Sequence, residues 1–145
     1  MKITIPCVSV LAAIIGLGSV VVLPVVVAQE PTVPIVIPDT SVAVWRAIDE
    51  KVADLEKDIQ SSHLAELHQL AHAIEDLVAG LSTRSTELSA DKRRQVIDTS
   101  RYVPHLAEQV GAAGDANDKS AARYSFEKLK NVLTAIHSNY SGDEV

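Results

Sequence analysis

Residues 119–140 read KSAARYSFEKLKNVLTAIHSNY, and within them Ala122, Phe126, Leu129, Leu133, Ile136 and Tyr140 recur at intervals of 4, 3, 4, 3 and 4. Only a helix of 3.6 residues per turn gathers those intervals onto one face, since a strand would need alternation. Such a stripe cannot stay in water alone, so it asks for partner helices with stripes of their own.

Working backwards along the chain finds them. Val96, Val103, Leu106 and Val110 line a third helix, started by Ser89 with Asp91 in its first turn, where the macrodipole favours a negative charge. Pro104 is expected to kink this helix, Gly111 and Gly114 to end it, and Asp115 to cap the next. Residues 80–88, GLSTRSTEL, read as a polar loop. Before them Leu67, Ala71, Ile74, Val78 and Leu81 form a second seam, and Trp45, Ile48, Val52, Leu55 and Ile59 a first. Asp39-Thr40 starts the first helix, and Ser61-Ser62 reads as the turn between the two. The fold class expected is therefore all-α: an antiparallel four-helix up-down bundle over residues 41–140, with a polar tail at 141–145.

The remainder of the chain is different in kind. Residues 1–28 hold 20 hydrophobic residues and one charge, Lys2. A positive start, an apolar run and the small-residue exit Val26-Val27-Ala28 match a signal peptide. The run also approaches the roughly 20 residues that span a bilayer, so an uncleaved anchor stays open beside cleavage. On either reading residues 29–145 lie outside the cytoplasm, exported to the periplasm or held at the inner membrane. Residues 29–40, QEPTVPIVIPDT, carry Pro31, Pro34 and Pro38, which oppose helix and favour an extended linker.

Charge and composition exclude several classes. The 145-residue chain has 13 Lys+Arg against 19 Asp+Glu, a net charge of −6, and no basic stripe, which excludes nucleic acid as a partner. Its one cysteine, Cys7, lies in the apolar run, so a cleaved chain has no disulfide, thiolate or Cys-ligated metal. Met1 is the only methionine, there is no C-x-x-C-H and no Glu-x-x-His, and His72-Ala73-Ile74-Glu75 runs in the reverse order. Those absences remove the haem and di-iron chemistries that helical bundles commonly hold. No catalytic constellation can be assembled either, so no enzyme is expected.

Five histidines remain: His63, His68, His72, His105 and His137. His68 and His72 are four apart, so they project from one side of the second helix, and Asp76 extends that ridge by four more. Imidazoles at this spacing can share a Cu, Ni or Zn ion, which makes His68, His72 and Asp76 the candidate metal ligands. The plain alternative is a solvated helix flank. His105 and His137 adjoin core positions and read as structural. Arg101-Tyr102 and Arg123-Tyr124 are residue types enriched at interaction hot spots, or else they cover the flank.

The segments VWRAIDEKVADLEK, LHQLAHAIEDLVAGLSTRS, LSADKRRQV and LAEQVGAAGDANDKSAARYSFEKLKNVL together resemble small exported helical-bundle proteins of Gram-negative bacteria associated with heavy-metal efflux. The resemblance spans about residues 42–140. Its recurrent positions are Val44-Trp45, His68, Ala73-Ile74, Asp76-Leu77, Ala113-Gly114-Asp115 and Phe126-Lys128-Leu129. It implies a periplasmic accessory protein with a link to metals, and it carries His68 across but not His72. Two functions are thus expected. One is a non-enzymatic envelope accessory acting on a protein partner through its surface, without cofactor, and touching membrane only if residues 1–28 are retained. The other is a periplasmic metal-binding protein.

Overall fold

The structure is a computed structural model that describes residues 36–140. The export segment, most of the linker and the tail at 141–145 lie outside the described residues. Five helices follow in order: α1 (Ser41–Ser61), α2 (Leu67–Arg84), α3 (Ala90–Ser100), α4 (Val103–Asp115) and α5 (Lys119–His137). One-turn 3₁₀ segments at Leu64–Glu66 and Ser85–Glu87 lead into α2 and follow it. No strand occurs among the described residues, and the helices pack on one another as an all-α bundle.

The start and end of α1 follow from its sequence. Thr40 Oγ1 accepts from Ala43 N at 3.2 Å, satisfying one first-turn amide. At the other end Ser62 takes the left-handed conformation (φ 63°), and His63 N–H donates to Asp58 O at 2.9 Å. Lys119 Nζ donates to Gln60 O at 2.7 Å, so α5 supplies a cation to the negative end of α1.

The seams read from the sequence form the core. Ile48, Leu55, Leu67, Ile74, Leu81, Val96, Val110, Phe126, Leu129 and Ile136 are all buried, while Val52 and Tyr140 are half-buried against them. The principal packed pairs are α2 with α4, α4 with α5 and α1 with α2. The short α3 lies more lightly against α5 and α2.

Four local expectations are corrected. Residues 80–88 are not a loop, because α2 continues to Arg84. Its polar hydroxyls bond back to carbonyls a turn earlier (Ser82 to Ala79 O at 2.7 Å, Thr83 to Gly80 O at 2.8 Å), so they sit in the helix without unmet needs. The expected kink at Pro104 is a complete break between α3 and α4, with Pro104 in the first turn of α4, where a missing amide hydrogen costs nothing. That break makes five helices where four are expected. Gly111 and Gly114 do not end α4; both are buried inside it, facing α2. The cap of α5 is Asp118, not Asp115: its Oδ1 accepts from Ser120 N and Ala121 N, each at 3.0 Å.

Two contacts tie down the ends of the bundle. Ile37, at the end of the Pro-rich segment, packs over Gly80, where an added Cβ would stand 2.6 Å from Ile37 Cγ2. Beyond α5, Tyr140 Oη hydrogen-bonds Ser85 Oγ, whose own hydrogen goes to Leu81 O at 2.7 Å. Burial raises the Tyr140 hydroxyl above the usual phenol range, and the negative Glu87 adds to this. The Ser85 bond works the other way, but only a Ser85 hydroxyl turned from Leu81 O can donate to a phenolate.

Candidate metal centre

The second helix sets His68 and His72 one turn apart on the side that faces α4. Their rings lie 4.7 Å apart, centroid to centroid, tilted by 53°. Across from them α4 supplies Glu108. One nitrogen of each imidazole and one Glu108 oxygen lie within 4.8 Å of one another. His72 Nε2 is 3.8 Å from Glu108 Oε2.

Helix approach makes this possible. A Cβ at Gly111 would stand 2.7 Å from His68 Nδ1 and 3.2 Å from its Cα. At Gly114 it would stand 2.7 Å from Leu64 O. The two glycines let the backbone of α4 come against the start of α2, and the His68 ring lies over the first of them. Glu108, Gly111 and Asp115, spaced 3 and 4, form one stripe of α4.

Carboxylates also stand behind each ring. His72 Nδ1 is 2.9 Å from Glu75 Oε2, a hydrogen bond that puts the proton on Nδ1 and leaves the Nε2 lone pair for an ion. His68 Nδ1 is 3.3 Å from Asp115 Oδ2, near enough for an ion pair though off hydrogen-bond geometry. The Asp115 charge favours the same tautomer there. Carboxylate-supported imidazoles are the common outer arrangement of metal-ligating histidines.

A tetrahedral ion with bonds of about 2.1 Å separates its donors by about 3.4 Å, so the three must draw inward by roughly 1 Å. Glu108, with 63% of its side chain exposed, has room to do so.

The other sequence candidates are distributed differently. Asp76 is exposed and is not part of the His68, His72 and Glu108 group. His63 sits in the turn after α1, 3.1 Å from Ser61 Oγ, and His105 pairs with Gln109 at 2.9 Å. His137 packs its ring 4.5 Å from that of Trp45. Tyr102 and Tyr124 are both 65% exposed, with Lys128 Nζ 4.2 Å from the centre of the Tyr124 ring.

Sequence reasoning missed Glu108 and Glu75. The signal for Glu75 is its three-residue spacing from His72, which is wrong for a di-iron site but right for a supporting carboxylate. The signal for Glu108 is the stripe it shares with Gly111 and Asp115 beside the apolar face of α4.

Comparison with protein-family models, curated proteins and solved structures finds no match to this chain.

Proposed function

We propose that this protein is a non-enzymatic, exported metal-binding bundle whose ligands for a divalent transition ion are His68, His72 and Glu108. The observation that supports it is the convergence of these three donors from two helices to within 4.8 Å. Two imidazoles and one carboxylate form a donor set suited to Zn(II), Cu(II) and Ni(II), while Mg(II) and Ca(II) prefer oxygen alone.

Calorimetric titration of the full chain with Cu(II), Ni(II), Zn(II) and Co(II) tests the proposal, alongside His68→Ala/His72→Ala and Glu108→Ala. One ion per chain at micromolar affinity or better, lost in the double variant and weakened in Glu108→Ala, is the expected result. Equal, weak binding by all three proteins overturns it.

A second reading is a surface-acting envelope accessory that docks a protein partner. The exposure of Tyr102 and Tyr124 favours it, since exposed tyrosines are frequent anchors of protein contacts. Crosslinking in envelope extracts tests it, and capture of a defined partner should fall in Tyr102→Ala/Tyr124→Ala.

A further inference from the structure

We infer that the ion at His68, His72 and Glu108 is handed on by direct attack of an acceptor ligand, so the site carries ions between donors and acceptors and does not store them. The inference rests on the metal-binding reading above and adds the manner in which the ion leaves.

Its basis is the mixture of support and openness at the site. His68, His72 and Glu108 keep 44%, 43% and 63% of their side chains exposed, so solvent reaches the ion from the side away from the core. Structural ions are closed in by four protein donors, whereas three protein donors leave a coordination position to water or an incoming ligand. Glu75 is already engaged with His72 Nδ1 at 2.9 Å and stands behind the ring, away from the ligating nitrogen.

Exchange at such a site follows a definite order. The acceptor, a small chelating molecule or a partner's imidazole, carboxylate or thiolate group, replaces the water first. The Glu108 carboxylate is the next donor to leave, because it is the most exposed of the three and its departure uncovers no buried charge. The two imidazoles then release the ion in succession and keep their lone pairs or take up solvent protons. The ion does not change oxidation state.

The two supporting carboxylates fit this role. Glu75 holds the His72 ring in the ligating tautomer whether or not an ion is present, through its 2.9 Å hydrogen bond, and the Asp115 charge stands 3.3 Å from His68 Nδ1.

The test uses the full chain loaded with one Zn(II), the loading being measured first by equilibrium dialysis. Transfer to the chromophoric chelator 4-(2-pyridylazo)resorcinol is then followed by absorbance at several chelator concentrations. The expected result is a rate that doubles when the chelator is doubled. A rate independent of chelator concentration in the unaltered protein overturns the inference while leaving the metal-binding reading intact. Failure to load any of Zn(II), Cu(II) and Ni(II) at the dialysis step overturns both.

Discussion

Gly111 lies beneath the imidazole of His68, so close that a single methyl group at Gly111 would stand 2.7 Å from Nδ1. The contact joins the packing of α2 against α4 to the orientation of a proposed ligand, and it makes the glycine part of the site without its touching an ion.

Gly111→Ala should therefore move the ring and open the helix pair. The expected loss of stability is about 1–3 kcal/mol, the usual cost of overpacking, against a gain of up to about 1 kcal/mol from alanine's helix propensity. Metal affinity should fall at the same time. Gly80→Ala is the control: the atoms it meets first are Ile37 Cγ2 and Cδ1, which belong to no proposed ligand, so stability shifts without affecting the ion. Thermal melts and calorimetry on both variants separate the two effects.

Glu75→Gln keeps the shape of the side chain and removes the charge behind His72. Loss of a supporting carboxylate typically weakens metal binding by roughly 10–100-fold, and that range is expected here with the stoichiometry unchanged. Asp76→Asn, on an exposed residue outside the donor group, should leave affinity within a few-fold of the parent. A larger effect at Asp76 than at Glu75 would contradict the geometry of the centre.

Ligation requires both imidazoles to be unprotonated, so protons compete with the ion. Affinity should fall as the pH is lowered, and binding from acidic solution should release protons into a weak buffer. Comparing binding enthalpies in buffers of different ionisation heat counts those protons.

Alkaline pH acts at the other end of the molecule. The folded-state value of Tyr140 is raised above that of an unfolded tyrosine, so the unfolded chain gives up this proton first. Stability is unaffected by this group below about pH 10 and declines as the pH rises from there toward the raised value. Tyr140→Phe should lose about 1 kcal/mol at neutral pH through the broken Ser85 hydrogen bond. It should also abolish this group's share of the alkaline decline, which urea titrations at several pH values would reveal.

Core substitutions set the scale for all of these. Phe126, 2% exposed, packs in the centre of the bundle, and Phe126→Ala should cost about 3–5 kcal/mol. His68→Ala, at a half-exposed side chain, should cost much less in the absence of metal. Equal losses in the two variants would mean that His68 is chiefly a packing residue.

The hydrophobic spacing in this chain determined the helical class and most core positions, because a stripe repeating every three to four residues has one way to be buried, while Val44, Leu64, Leu77 and Leu88 are buried outside those stripes. Capping chemistry located Thr40 and Ser89 for an equally local reason, since a side-chain oxygen bonds an amide two or three residues away. Local rules failed where they met tertiary demand. Gly80, Gly111 and Gly114 carry the same residue type that ends helices, yet each lies within one, because close approach by another segment favoured a position without a side chain. Pro104 was visible as an interruption, but whether α3 and α4 would bend or separate depended on what each could pack against. The candidate metal centre divides in the same way. The ridge of His68 and His72 belongs to one helix and is legible from a four-residue interval. Glu108 lies 36 residues beyond His72 in the chain. No local rule connects residues so far apart, and only the docking of α4 on α2, set by two glycines, brings its carboxylate to the imidazoles.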